Sequence, residues 1–217
     1  MKNVFAMFLA FSMLLALAAC GTAAPAVPST SDPRPHESGA SSAAAPNGDT
    51  AAEATAGGTR SLVVYFSWSG NTEKVAKSIQ RQAGSDLFEI VSKTPYSTDY
   101  NTVVSDAKAE QQRGARPEID GSIANLADYD TVYVGFPNWW GDMPMILYTF
   151  FDTYDLSGKT VALFCTSGGS GLSDTVNEVK KLEPNATVTK GLHIGSGASS
   201  KPDSAVQSWL EEIGTVH

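Results

Sequence analysis

Five short apolar segments alternate with helical patterns after residue 60, and this alternation constrains the fold more than any other feature of the sequence. The segments are residues 62–66, 86–91, 131–136, 160–166 and 187–194. Most are rich in β-branched or aromatic residues and all are bounded by turn residues, which is typical of buried strands. After them, apolar residues recur at helical spacing over residues 73–83, 98–113, 143–153, 172–182 and 201–213. The alternation predicts an α/β fold in which helices cover both faces of a parallel sheet.

The loop after the first predicted strand has the composition of a phosphate-binding site. Residues 67–72 read Ser-Trp-Ser-Gly-Asn-Thr and lead into a helix, whose free N–H groups and dipole favour an anion. The loop matches neither the Gly-x-x-x-x-Gly-Lys-Ser/Thr nor the Gly-x-Gly-x-x-Gly pattern, and it contains no Lys or Arg. We therefore expect a monophosphate held by N–H and O–H groups, although an ordinary capped helix start has a similar composition.

The loops after the third and fourth predicted strands are also unusual, and ligands of such sheets bind at the carboxyl ends of the strands. Residues 137–144 read Pro-Asn-Trp-Trp-Gly-Asp-Met-Pro. One of two adjacent Trp side chains should point away from the interior, where it can stack on a planar ligand; a packed loop or a protein interface is the alternative. Residues 166–171 read Thr-Ser-Gly-Gly-Ser-Gly, a sequence that lets backbone approach a ligand but also suits a flexible loop.

Together the three loops resemble those of the flavodoxin-like family, in the family's order and across residues 60–217. The resemblance implies a doubly wound sandwich with a five-stranded parallel sheet in the order 2-1-3-4-5, of the short-chain type, with FMN as cofactor. It implies that residues 67–72 hold the phosphate, that residues 139–141 and 166–171 flank the isoalloxazine, and that Gly141 lets a peptide beside the ring turn on reduction. The implied cofactor-binding residues are Ser67, Trp68, Ser69, Gly70, Asn71, Thr72, Pro137, Asn138, Trp139, Trp140, Gly141, Asp142, Thr166, Ser167, Gly168, Gly169 and Gly171.

The first 59 residues differ in composition from the rest of the chain. Lys2 precedes an apolar run over residues 4–19, and the ending Leu-Ala-Ala-Cys20 resembles the lipobox of bacterial lipoproteins. This resemblance implies a signal peptide over residues 1–19 and a lipid on Cys20. Sixteen apolar residues are short for the alternative, a transmembrane helix. Residues 20–59 are rich in Ala, Ser, Thr, Pro and Gly, which predicts a disordered tether. We expect a domain of residues 60–217 anchored to the cell membrane outside the cytoplasm.

Charge and cysteine content exclude several classes of partner. The chain has 15 Lys and Arg residues and 23 Asp and Glu residues, of which two basic and four acidic residues precede residue 60, so the domain carries a net charge of −6. Nucleic acid is therefore not an expected partner. With Cys20 lipidated, Cys165 has no disulfide partner and is expected to be a small buried hydrophobe, and the scarcity of Cys and His argues against a metal site.

Three functions are compatible with the sequence. The leading hypothesis is an FMN-binding electron-transfer protein, whose partners are redox proteins or small electron acceptors. The alternatives are an FMN-dependent NAD(P)H reductase of quinones or similar acceptors, and a flavin-free extracellular binding module. The sequence has no second nucleotide fingerprint, and reduced nicotinamides are scarce outside cells, so we expect a carrier rather than an enzyme. Tyr96 and Tyr100 either cover a flavin edge or belong to a packed loop.

Overall fold

The computed structural model describes residues 59–215. The predicted signal peptide, Cys20 and the predicted tether up to residue 58 lie outside the described residues. The strands are β1 (Ser61–Tyr65), β2 (Asp86–Glu89), β3 (Val91–Ser92), β4 (Ile119–Asp120), β5 (Thr131–Pro137), β6 (Thr160–Ser167), β7 (Thr187–Val188) and β8 (Leu192–Gly195). The α-helices are α1 (Asn71–Ala83), α2 (Tyr100–Arg113), α3 (Met145–Thr153), α4 (Thr175–Leu182) and α5 (Asp203–Glu212), and a short 3-10 helix lies at Leu126–Asp128.

Six of these strands form one parallel sheet in the order β2-β1-β5-β6-β7, with β8 also paired to β6. β7 pairs with Thr160 and Val161 at the start of β6, whereas β8 pairs with residues 164–167 at its end. The two strands therefore occupy one position at the sheet edge. Counting that position once gives the order 2-1-3-4-5, which confirms the predicted fold class.

Two predicted strands differ in their extent. The predicted fifth strand, 187–194, is interrupted at residues 189–191. At this interruption Gly191 packs so closely on Leu172 that an added Cβ would lie 2.6 Å from the Leu172 Cδ1. The predicted second strand, 86–91, leaves the main sheet after Glu89, and Val91 instead pairs with Asp120 in an antiparallel two-stranded sheet of β3 and β4.

Helices cover both faces of the main sheet, as predicted. In β1, Leu62 and Val64 belong to a core cluster that includes residues of α3 and α4, whereas Val63 and Tyr65 belong to a second cluster with residues of α1 and α5. Because successive side chains of a strand point to opposite faces, both faces of β1 are buried. This double burial explains why the strand sequences are almost continuously apolar.

The sheet order brings the carboxyl ends of β1, β5 and β6 together, because β5 lies between the other two. The three loops that were predicted from the sequence to bind a ligand follow these three strands. The fold therefore places the three loops side by side at the carboxyl ends of these strands. No helix between residues 59 and 215 has the length and hydropathy needed to cross a membrane.

Candidate functional site

A cleft of about 390 Å³ lies at the carboxyl ends of β1, β5 and β6. This volume falls within the range of small-molecule sites. None of the lining side chains is charged. The lining residues are Trp68, Ser69, Asn71, Tyr100, Val103, Val104, Ala107, Pro137, Asn138, Trp139, Trp140, Thr166, Ser167, Gly168 and Ser196.

The loop between β1 and α1 leaves backbone donors available at the start of the helix. Gly70 has φ +77°, a left-handed conformation that glycine adopts at little cost. The Glu73 N–H donates to the Ser67 hydroxyl at 3.3 Å, and the Lys74 N–H donates to the Gly70 carbonyl at 3.3 Å. The N–H groups of residues 68–72 donate to no other described residue. They are therefore free to bind an anion where the helix dipole also favours one.

The hydroxyl groups of this loop do not all face the cleft. Ser69 lines the cleft, and its Oγ accepts a hydrogen bond of 3.2 Å from the Asn71 amide. Thr72 is buried, and its Oγ1 lies 2.9 Å from Oγ1 of Thr166. Ser67, Gly70 and Thr72 are absent from the lining of the cleft. Of the predicted phosphate ligands, the structure therefore brings Ser69 and Asn71 to the cleft surface, whereas Thr72 joins the loop to the end of β6.

The loop after β5 contains a tight two-residue turn. The Trp139 N–H donates to the Asp142 carbonyl at 2.8 Å, and the Asp142 N–H donates back at 3.1 Å. Between them Trp140 has φ +57° and Gly141 has φ +82°. Positive φ at both central residues is characteristic of the type I′ turn, which favours glycine. A non-glycine residue such as Trp140 seldom adopts this conformation.

The adjacent tryptophans point in different directions, as the sequence predicted. The Trp139 ring packs edge-on against Phe66 at 5.4 Å and Tyr96 at 5.3 Å. Trp140 is 51 % exposed; its indole N–H donates to the Val104 carbonyl at 3.0 Å, and the Lys108 ammonium lies 5.0 Å from its ring centre. Trp139 therefore anchors the loop to the core, and Trp140 forms a wall of the cleft.

Three aromatic residues, Trp68, Tyr100 and Trp140, surround the cleft and are called the aromatic rim below. Tyr100 is 65 % exposed, and its ring centre lies 6.2 Å from that of Trp68. The Trp68 indole N–H donates to the Ser97 carbonyl at 2.8 Å, which fixes the ring beside the cleft. The aromatic rim offers planar surfaces to a ligand or to a second reactant.

Asp142 does not line the cleft. Its carboxylate accepts hydrogen bonds from the Met143 N–H at 2.7 Å and from the Tyr148 hydroxyl at 2.9 Å. Burial, followed by this hydrogen bond, raises the pKa of Tyr148. The carboxylate therefore binds the segment that leads into α3, and the structure gives Asp142 no contact with the cleft surface.

The glycine-rich loop after β6 is organised by Ser167. The Ser167 Oγ accepts hydrogen bonds from the N–H groups of Gly169 at 3.2 Å and Gly171 at 3.0 Å, and lies 2.8 Å from Nε2 of His193. Because both of its lone pairs are occupied, its O–H donates to the His193 nitrogen. The N–H groups of Gly169 and Gly171 are thus used within the protein, and neither glycine lines the cleft, whereas Gly168 does.

Five lining residues lie outside the loops that the sequence singled out: Tyr100, Val103, Val104, Ala107 and Ser196. Four belong to α2, whose apolar spacing predicts a buried face without saying that this face borders a cleft. Ser196 follows β8, and its N–H donates to the Ser167 carbonyl at 2.8 Å. The Gly-Ser-Gly sequence at 195–197 comes at the carboxyl end of the fifth strand position. This sequence is the signal from which Ser196 could have been predicted as a lining residue.

Tyr96 and Cys165 lie behind the cleft. The Tyr96 hydroxyl donates to the Glu110 carboxylate at 2.9 Å while its ring packs on Trp139, so it belongs to the packed loop. Cys165 is buried, and its Sγ lies 3.3 Å from the Gly171 carbonyl oxygen. Burial raises the pKa of this thiol to about 12, which agrees with its interpretation as a small hydrophobe.

A doubly wound sheet with a turn of unpaired N–H groups between β1 and α1 is typical of α/β proteins that bind ligands at the carboxyl ends of the strands. A family model described as flavodoxin matches residues 60–213 of this chain. The chain belongs to the flavodoxin family.

Three known proteins illustrate the similarity. A flavoprotein from Bacteroides eggerthii is 32 % identical, covers 72 % of this chain and 99 % of its own, and has a TM-score of 0.65. A flavoprotein from Lactobacillus acidophilus in complex with FMN is 27 % identical, covers 70 % and 99 % of the two chains, and has a TM-score of 0.58. A protein named NAD(P)H dehydrogenase (quinone) from Caulobacter vibrioides is 32 % identical over 62 % of this chain and 67 % of its own.

Proposed function

We propose that this protein binds FMN in the cleft and transfers electrons through it. The main support for the proposal is the set of N–H groups from residue 68 to residue 72, which have no acceptor among the described residues. They belong to a loop that contributes Trp68, Ser69 and Asn71 to the lining of an uncharged cleft with an aromatic rim. A phosphate monoester accepts such hydrogen bonds, and a planar ring system fits the aromatic walls. The L. acidophilus flavoprotein in complex with FMN supports this choice of cofactor.

The residues present fit FMN from end to end. Ser69, Asn71 and the neighbouring N–H groups would hold the phosphate. Trp140 and residues 166–168 would border the isoalloxazine on its two sides. When bound, FMN supplies one-electron and two-electron transfer. The chain binds and orients the ring, and the aromatic rim limits the access of water.

Electron transfer to redox proteins or small acceptors is the function that we favour. The sequence contains no second nucleotide fingerprint that would identify a nicotinamide site. The second candidate is an NAD(P)H-dependent reductase of quinones or similar planar acceptors. Two observations favour it: the name of the C. vibrioides relative, and the exposure of Tyr100 and Trp140, which offer stacking surfaces at the mouth of the cleft.

We also propose that the protein is held at the outer face of a bacterial membrane by a lipid on Cys20. The Leu-Ala-Ala-Cys sequence after an apolar run supports this. Cys20→Ala is expected to shift the protein from the membrane fraction to the soluble extracytoplasmic fraction. Retention of this variant in the membrane would contradict the anchor without bearing on the cofactor.

The full-length protein, extracted from membranes in mild detergent, provides the test of the cofactor. We expect a yellow protein that releases FMN, and not FAD, on heating. A colourless protein that takes up no added FMN would contradict the proposal and favour the flavin-free binding module. For a yellow protein, rapid oxidation of NADH or NADPH with a quinone acceptor would identify the reductase. Reduction by dithionite without nicotinamide oxidation would identify the carrier.

A further inference from the structure

Asn138 makes side-chain hydrogen bonds within the loop after β5 (residues 137–144, called the tryptophan loop) and to the glycine-rich loop after β6, two of the three loops that border the cleft. Its Nδ2 donates to the Gly171 carbonyl at 3.0 Å and to the Ser173 hydroxyl at 3.0 Å. Its Oδ1 accepts from the Gly141 N–H at 3.0 Å. The orientation of the amide follows from these partners, because a backbone N–H can only donate and a carbonyl can only accept.

The amide of Asn138 is therefore committed to the protein. Both of its N–H bonds are used, and its oxygen already accepts one hydrogen bond. Its backbone N–H is used as well, since it donates to the Thr166 carbonyl at 2.9 Å. Although Asn138 borders the cleft, it has no free donor for a ligand. Its side chain therefore connects the two loops and has no donor left to bind a ligand directly.

The contact with Gly141 also fixes a strained peptide. The N–H of the Trp140–Gly141 peptide is held by Asn138, and its carbonyl lies 3.5 Å from the Gln111 amide nitrogen. Trp140 keeps its uncommon positive φ in this arrangement. Such a conformation persists when surrounding contacts over-determine it. These contacts include the Asn138 bond, the reciprocal bonds between Trp139 and Asp142, and the bond from the Trp140 indole to the Val104 carbonyl.

We propose that Asn138 is a positioning residue that fastens the tryptophan loop to the glycine-rich loop, so that the two walls bordering the flavin ring move as one unit. The proposal rests on the proposed function only for the identity of the ligand. Loss of the amide would separate the walls and release the Gly141 N–H. The loop between β1 and α1 has no hydrogen bond to this amide, so its proposed binding of the phosphate should not change.

Two substitutions separate the parts of this role. Asn138→Ala removes all three side-chain hydrogen bonds. Asn138→Asp keeps an oxygen for the Gly141 N–H but loses the donors, and its carboxylate faces the Gly171 carbonyl. Asn177→Ala is the matched control, because Asn177 is an exposed asparagine on α4 that also donates a side-chain hydrogen bond, to Asp174.

The first measurement is amide hydrogen exchange by NMR on the flavin-free full-length protein. In Asn138→Ala, the Gly141 N–H should exchange at least about tenfold faster, whereas in Asn138→Asp and Asn177→Ala it should remain as slow as in the wild type. Unchanged exchange in folded Asn138→Ala would overturn the proposal. This result does not depend on FMN, so a protein that binds no flavin would refute the proposed function and still decide the role of Asn138.

The second measurement compares FMN with riboflavin, which lacks the phosphate. Asn138→Ala and Asn138→Asp should weaken both ligands by the same factor, about tenfold, and should shift the redox potential of the bound flavin. A loss confined to FMN, or unchanged affinities and potential in folded variants, would overturn the positioning role. If Asn138→Ala does not fold, Asn138→Asp and Ser173→Ala, which removes one partner, carry the same comparison.

Discussion

The hydroxyl oxygens of Thr72 and Thr166 lie 2.9 Å apart in a buried contact that joins the first turn of α1 to the end of β6. A buried hydroxyl that loses its only partner is destabilising, whereas replacing both partners by apolar groups of similar shape is nearly neutral. This contact therefore links the loop between β1 and α1 to the core of the sheet, and it can be tested by substitution of each partner.

Thr72→Val should lower the free energy of unfolding by about 1–2 kcal/mol, because it leaves the Thr166 hydroxyl unpaired. The double variant Thr72→Val/Thr166→Val should lose less than the sum of the single losses. Urea unfolding of the four proteins measures the coupling between the two residues. Strictly additive losses would mean that the contact contributes no coupling energy.

Ser69→Ala should weaken FMN binding about tenfold or more and leave riboflavin binding unchanged. The reason is that Ser69 lines the cleft beside the unpaired N–H groups, where a hydrogen bond to a charged phosphate is worth about 1.5–3 kcal/mol. Titration calorimetry with both ligands makes the comparison, and Ser204→Ala, an exposed serine on α5, is the control. Equal losses for the two ligands would place the phosphate elsewhere.

Gly141→Ala should strain the turn even before any flavin binds. Gly141 has φ +82° and an added Cβ would meet nothing closer than 4.0 Å, so the cost comes from the backbone alone, about 1–2 kcal/mol. Gly84→Ala is a matched control, because Gly84 has φ +64° in open space at the end of α1. Both variants should lose similar unfolding free energy, and only Gly141→Ala should change flavin affinity. A stability loss in Gly84→Ala alone would contradict this assignment.

Substitutions of the two tryptophans should have different effects, one mainly on ligand binding and the other mainly on stability. Trp140→Ala should change the unfolding free energy little, since the side chain is half exposed, but should weaken FMN and riboflavin alike through loss of a stacking surface. Trp139→Ala should destabilise the flavin-free protein by roughly 2 kcal/mol or more, because it removes the packing on Phe66 and Tyr96. The reverse pattern would show that Trp139, and not Trp140, supplies the stacking surface.

The carboxyl group of Glu110 is expected to make the free energy of unfolding depend on pH. Burial raises the pKa of its carboxyl above the ordinary value of 4.5, although the hydrogen bond from Tyr96 opposes the shift. The folded protein therefore binds this proton more tightly than the unfolded chain, and stability falls as the pH rises from 4.5 through the raised pKa. Glu110→Gln stays neutral and should escape this fall.

The measurement is the difference in unfolding free energy between Glu110→Gln and the wild type as a function of pH. It should move in favour of the variant as the pH rises through that window and then level off. Burial also raises the pKa of Glu183, but this residue is present in both proteins and its effect cancels. A difference that does not change with pH would refute the assignment to Glu110.

The sequence predicted the sheet well because its signals are local and strong. Segments such as 131–136 and 160–166 are buried on both faces, so nearly every residue in them is apolar, and β5 and β6 begin at the predicted residues. The 91–92 and 119–120 pair was missed because two-residue strands carry no periodicity. The split of the fifth strand coincides with a close contact between Gly191 and Leu172, which no spacing pattern reports.

At the candidate site, the residue types in the sequence predicted where the loops lie better than they predicted the contacts that each residue makes. Ser69, Trp140 and Gly168 line the cleft, but the side chain of Asp142 and the N–H groups of Gly169 and Gly171 are used inside the protein. Sequence identifies groups that are able to bind a ligand. It does not show whether a neighbour such as Ser167 or Tyr148 already binds them, because these hydrogen bonds depend on the conformation of the loop even when the partners are close in the chain.

β1 begins at Ser61 and its carboxyl end lies beside the cleft, so Ser61 lies at the end of the strand that is away from the cleft. Arg60 lies at that junction, where its guanidinium contacts Asp86 and Asp128. Arg60 and the cleft therefore lie at opposite ends of β1. A chemical label attached at residue 60 should therefore leave ligand binding in the cleft unchanged.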